Sequence, residues 1–147
     1  MKQAGLRLTT TLPDDTIEGE HDFERYGGKT DGDAMAELLA RLGYPVDEPE
    51  YLYFKGWEYR LELKGRVYGY RSQRWPTWAF LVFFDHTGGL DRFFFRKPPD
   101  FARVLNELNR ALHADPRFPK VEWFEEPGDA LEDDTVGVDD PVIRTLR

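Results

Sequence analysis

Apolar and charged residues alternate most regularly over residues 57–63, a pattern typical of a strand with one buried face. A tight turn at Lys64-Gly65 would join this strand to a second one at 66–72, because glycine supplies the backbone conformation that such turns need. Pairing across the turn gives a definite register: Leu63 opposite Arg66, Leu61 opposite Tyr68, and Tyr59 opposite Tyr70. This register predicts that both tyrosines lie on the apolar face.

Five further segments have the composition of strands, and one of them is apolar throughout. The predicted strands are 6–12, 78–84 and 91–96, and residues 51–54 and 120–124 could each form a further short strand. Residues 78–84 carry no charge, which predicts a central strand covered on both faces. Residues 14–32 are acidic, contain glycine and lack periodicity, so we interpret them as a loop.

Helical spacing occurs twice, once before and once after the strands. The predicted helices are 33–42, with Asp31 or Asp33 as the N-terminal cap, and 98–113, opened by Pro98-Pro99. Together the elements predict an α+β fold: an antiparallel meander sheet of about five or six strands with two helices packed mainly on one face. The predicted core includes Leu38, Leu61, Phe80, Val82, Leu105 and Leu108.

The C-terminal residues differ in composition from the rest, which divides the chain into a domain at 1–124 and an acidic tail at 125–147. The tail is poor in aromatic residues, as solvated segments are. It also carries aliphatic residues through which it could pack instead: Val136, Val138, Val142, Ile143 and Leu146. The sequence leaves these two alternatives open.

Charge is distributed unevenly over the 147 residues, whose formal net charge is −8. Residues 1–33 carry eight acids and four bases, residues 34–121 carry eleven acids and fourteen bases, and residues 122–147 carry nine acids and two bases. The absence of cysteine excludes disulfides and thiolate chemistry. No apolar run is long enough for a membrane helix and none resembles a signal peptide, so we expect a cytoplasmic protein without membrane contact.

No catalytic constellation stands out, so we expect neither an enzyme nor a cofactor or metal site. Ser72 is the only serine and lacks the context of a nucleophile. Glu20-His21-Asp22 has metal-binding residue types without a second histidine at ligand spacing, and Asp85-His86 stands at a predicted strand end. We interpret both as structural or solvated, together with His113 and three adjacent acid pairs: Asp14/Asp15, Asp133/Asp134 and Asp139/Asp140.

Partner binding is the function that the composition favours. Arginines and tryptophans near a predicted loop are typical of interface anchors, and acidic residues steer basic partners by long-range attraction. The candidate partner-binding residues are Arg71, Arg74, Trp75, Trp78, Glu125, Glu126, Asp133 and Asp134. The leading hypothesis is a small acidic inhibitor, of the immunity-protein type, that binds and blocks or regulates a basic protein. The alternative is a nucleic-acid-binding domain using the basic, aromatic residues 55–97.

Overall fold

The computed structural model describes residues 1–18, 23–53, 55–63, 66–86 and 101–145. Strands and helices follow in this order: β1 (Lys2–Thr9), β2 (Ile17–Glu18), β3 (Phe23–Arg25), α1 (Lys29–Arg41), β4 (Glu50–Leu52), β5 (Gly56–Leu63), β6 (Arg66–Arg74), β7 (Ala79–Asp85), α2 (Phe101–His113), β8 (Lys120–Phe124) and β9 (Arg144–Thr145). A 3₁₀ helix spans Pro127–Leu131 between β8 and β9.

One antiparallel sheet organises the molecule, with strand order β4-β5-β6-β7-β1-β8. The short β9 pairs with the start of β1, and β2 pairs with β3 as a separate two-stranded unit. Both helices pack against the sheet, which confirms the predicted α+β class. Neither α1 nor α2 is long and apolar enough to cross a lipid bilayer.

The predicted register between β5 and β6 is confirmed. Leu63 pairs with Arg66, Leu61 with Tyr68, and Tyr59 with Tyr70. The rings of Tyr59 and Tyr70 stack at a centroid distance of 4.6 Å, and both residues are fully buried. Their hydroxyls donate to the backbone carbonyls of Lys29 and Gly32, so the two tyrosines join the sheet to the first turn of α1.

The core lies between the sheet and the two helices, on what we call the inner face. Leu38, Leu61, Leu105 and Leu108 are buried there, as predicted. The prediction is wrong for Phe80 and Val82, which are only half-buried. These two residues point to the opposite, outer face because side chains alternate along a strand. The 3₁₀ helix covers that face chiefly over β1, so the apolar run of β7 is not covered equally on both sides.

Helix α1 begins at Lys29, four residues before its predicted start, and neither Asp31 nor Asp33 caps it. Its N-cap is Gly28, whose φ of 125° excludes most other residues. The cap comes instead from Asp15, which accepts hydrogen bonds from the amides of Gly28 (2.7 Å) and Thr30 (2.8 Å). The segment predicted as a loop at 14–32 therefore contains both β2–β3 and the start of α1.

Several predicted features lie outside the described residues. They are the Lys64-Gly65 turn, the strand at 91–96, the first three residues of the helix predicted at 98–113, and the whole Glu20-His21-Asp22 cluster.

Candidate protein-binding surface

Arg7 is a buried cation on the outer face of β1 that fixes the acidic C-terminal residues to the sheet. Its guanidinium donates two hydrogen bonds of 3.1 Å to the carboxylate of Glu122 on β8. It also donates to three backbone carbonyls, those of Ala130 (3.4 Å), Glu132 (2.9 Å) and Thr135 (2.7 Å). One side chain thus binds the 3₁₀ helix and the turn that follows it.

We call residues 125–140 the acidic segment. It crosses the outer face at Gly5, where Pro127 packs so closely that a Cβ atom at Gly5 would lie 2.7 Å from the Cα atom of Pro127. It then passes β8, where Val138 and Trp123 exchange backbone hydrogen bonds of 2.8 and 3.0 Å. Residues 127–138 therefore pack against the sheet, but through backbone contacts and Arg7 and not through the side chains of Val136 and Val138, which are exposed.

The acidic segment ends against α2. The carbonyl of Asp139 accepts a hydrogen bond of 2.9 Å from Asn109, and Nε2 of His113 lies 3.1 Å from the same oxygen. Asn109 in turn accepts a hydrogen bond of 2.7 Å from the buried indole of Trp123. The acidic segment is thus attached to β1, β8 and α2.

Although its backbone is fixed, most side chains of the acidic segment are exposed. The exposed acids are Glu125, Glu126, Glu132, Asp133, Asp134, Asp139 and Asp140. Three large apolar side chains are exposed among them: Leu131 (39%), Val136 (80%) and Val138 (52%). A surface that combines carboxylates with exposed aliphatic groups can attract a basic protein and also bury apolar area against it.

The ion pair below this surface is stable in its charged form. Burial opposes ionisation of Glu122, but hydrogen bonds from Arg7 and from the Gly137 amide outweigh it, and the pKa of Glu122 lies below its ordinary value. The Arg7 guanidinium also lies 4.9 Å from the ring centroid of Phe124 and 5.6 Å from that of Trp78, within the range of cation–π attraction. Trp78, a predicted binding residue, therefore adjoins the acidic segment through Arg7.

Two other predicted binding residues, Arg74 and Trp75, lie at the end of the β6–β7 hairpin. Arg74 is almost buried and donates to Asp31 (3.0 Å) and to the carbonyl of Leu12 (3.1 Å). Burial raises the pKa of the fully buried Asp31, and the positive charge of Arg74 opposes that rise. Trp75 is 37% exposed, with its indole Nε1 donating to Gln73 at 3.2 Å.

Arg71 occupies a third location, on the outer face of β6. Its guanidinium lies 5.5 Å from the ring centroid of Phe84 and donates to Glu58 at 3.1 Å. Glu58 is buried and also accepts hydrogen bonds from Arg60. Among the predicted binding residues, Trp78 thus lies beside Arg7, Arg71 lies on the outer face of β6, and Arg74 and Trp75 lie at the end of the β6–β7 hairpin. Sequence reasoning missed Arg7, which looks like one polar residue in an alternating strand.

Of the residues considered for catalysis or metal binding, those in the described ranges lie in separate parts of the fold. Asp85 is buried on β7 whereas His86 is exposed, with its ring 4.8 Å from that of Phe84. Asp14 accepts hydrogen bonds from the amide and hydroxyl of Thr16, and its neighbour Asp15 caps α1. Within the described ranges, no group of three or more histidine or acidic side chains could hold a metal ion.

Comparisons of the chain with protein-family models, with curated proteins and with solved structures find no match. What the structure defines is the class of fold, an α+β sheet protein, together with an acidic segment fixed to its outer face.

Proposed function

We propose that the protein is a small binding protein whose acidic segment captures a basic protein partner and blocks or regulates it. The observation that supports this proposal is the attachment of the acidic segment by Arg7, which holds three of its carbonyls while its carboxylates and its Val136 side chain stay exposed. Exposed aliphatic side chains among the carboxylates provide apolar area that a docking partner can bury.

Preorganisation favours binding because a surface that is already ordered loses less conformational entropy when its partner docks. The carboxylates accelerate encounter with a basic protein, an effect that reaches roughly 8 Å at 0.15 M salt. Leu131, Val136 and Val138 then supply apolar contact, which slows dissociation. Binding of this kind suits an inhibitor or an immunity protein acting in the cytoplasm, and it requires no catalytic group.

The test separates attraction from contact by using a synthetic peptide of alternating lysine and leucine as the probe. Neutralising Glu125, Glu126, Asp133 and Asp134 together to Gln or Asn should slow association several-fold at low salt and change dissociation little. A matched control neutralises four other exposed acids: Asp47, Glu48, Glu50 and Glu62. The Val136→Ser variant should speed dissociation instead. Equal effects of the two neutralised sets on association would refute the proposal.

The nucleic-acid alternative has some support on the outer face of β5–β7. Arg60 and Arg71 share that face with the half-buried Phe80 and Val82, but Glu58 neutralises part of their charge. Single-stranded DNA distinguishes the two functions. Micromolar binding at 0.15 M salt, strengthened by neutralising the acidic segment, would replace the proposed function with this alternative.

A further inference from the structure

A small cleft lies beside the exposed Trp75, between the β6–β7 turn and the chain around β2. Its volume is about 180 Å³. Aromatic and apolar walls come from Tyr26, Trp75 and Pro76, and charged walls come from Asp14, Glu18 and Arg74. Binding sites for drug-sized ligands and cofactors have volumes of about 300–1,000 Å³, so this cleft has room for a single side chain.

The charge available to a ligand in this cleft is negative. Arg74 lines it, but the Arg74 side chain is only 7% exposed and its charge is compensated by Asp31. Its Nη1 and Nε atoms already donate to Asp31, to Leu12 and to the carbonyl of Trp75. Asp14 and Glu18 are exposed. An anion would therefore meet two carboxylates and an arginine whose charge is already neutralised.

We infer that this cleft binds the cationic end of a lysine or arginine side chain from the basic partner. Aromatic faces attract cations through their quadrupole, and nearby carboxylates add direct electrostatic attraction. A neutral apolar group would gain the aromatic contact but would have to desolvate the two carboxylates without compensation. The inference rests on the proposed function and adds to it one specific contact with the partner. The cleft and the acidic segment come from different parts of the chain.

The test titrates the protein with four small probes and follows the indole N–H of Trp75 by two-dimensional NMR, with Trp75→Phe to assign that signal. The cationic probes are N-acetyl-arginine amide and N-acetyl-lysine amide. The neutral probes of similar shape are N-acetyl-citrulline amide and the same lysine derivative acetylated on its side chain. We expect saturable, millimolar binding of at least one cationic probe and at least tenfold weaker binding of its neutral counterpart.

Charge-neutralised variants then locate the binding. Asp14→Asn retains the oxygen that accepts the Thr16 hydrogen bonds, and Glu18→Gln changes an exposed residue, so both should fold normally. Together they should weaken binding of the cationic probe about tenfold, the factor that corresponds to losing ~1.4 kcal/mol. Glu62→Gln, which removes one exposed charge on β5, is the control and should leave the affinity unchanged.

Equal binding of charged and neutral probes would overturn the inference, as would shifts that leave the Trp75 signal unmoved. Selective binding of either cation supports it and tells whether ammonium or guanidinium is preferred. The result with these small probes does not depend on the result with the lysine–leucine peptide. If the peptide responds to the acidic segment but no cationic probe enters the cleft, the proposed function stands and the cleft has no part in it.

Discussion

Replacing Arg7 with methionine keeps a long, unbranched side chain on β1 but removes the guanidinium that binds Glu122 and the acidic segment. Arg7 is 7% exposed and Glu122 is 6% exposed, so solvent screens their interaction little. Removing one partner of a buried ion pair typically destabilises a protein by about 3–5 kcal/mol. Glu122 keeps the Gly137 amide at 3.1 Å and Lys120 at 3.7 Å, which places the expected loss near ~3 kcal/mol.

The assay is urea denaturation of four proteins: wild type, Arg7→Met, Glu122→Met and the double variant. Apolar replacement of a whole buried ion pair is often neutral, so the double variant should recover part of the loss. Recovery should be incomplete because three carbonyls, those of Ala130, Glu132 and Thr135, lose their common donor. Additive single losses would show that the two side chains are not coupled.

Loss of Arg7 should also loosen the acidic segment before the rest of the protein unfolds. The Val138 amide, which donates to the Trp123 carbonyl at 3.0 Å, reports this local opening through hydrogen exchange. We expect its exchange in Arg7→Met to be at least tenfold faster, while amides in the middle of β6 change only with global stability. A loss below ~1 kcal/mol together with unchanged Val138 exchange would refute the role given to Arg7.

Three further predictions concern the scaffold. Leu105→Ala should cost about 2–5 kcal/mol in urea denaturation, because a side chain that is 1% exposed would leave a cavity, and a cost below ~1 kcal/mol would contradict this. Gly28→Ala should lower the midpoint temperature of thermal unfolding measurably. Gly28 has a φ of 125°, and an added Cβ would lie 2.7 Å from the Ser72 carbonyl oxygen. An unchanged midpoint would contradict this prediction. Burial raises the pKa of Glu58 and of Glu122, but hydrogen bonds and charge attraction together lower it by more, so the folded pKa of each lies below its ordinary value. The stability that these two carboxylates contribute is therefore complete above the unfolded pKa of about 4.3 and is lost as pH falls through their lower folded values. Urea midpoints that stay constant between pH 5 and pH 2 would contradict this last prediction.

Local pattern was sufficient to predict the β5–β6 pairing. Alternation fixes which residues share a face, and the length of the turn fixes which residues pair. With both constraints, Tyr59 had to lie opposite Tyr70. The buried side of α2 was predictable for a similar reason. Its apolar residues repeat with the period of a helix, and an amphipathic helix buries one side.

Contacts between distant residues were not predictable. Asp15 precedes β2 and β3 in the chain, yet it caps α1, which begins after both strands. Local capping rules consider only the residues beside the helix. Arg7 and Glu122 are separated by 115 positions and become neighbours only because β1 pairs with β8. The candidate binding surface depends on this pairing, so the sequence supplied its acids and not their arrangement.

The acidic segment also covers one edge of the sheet. β8 is the last strand of the main order, and its free edge would otherwise present unpaired backbone groups. Val138 occupies that edge at Trp123 through two backbone hydrogen bonds, which need no particular side chain. The acidic segment is therefore attached through its backbone, chiefly by Arg7, Glu122 and Asn109, while most of its acidic side chains remain exposed. Exposed residues usually change stability by less than about 0.5 kcal/mol when replaced, so the charges of this surface can vary without loss of the fold. The contacts that stabilise this region are therefore separate from the exposed charges that we propose attract a partner.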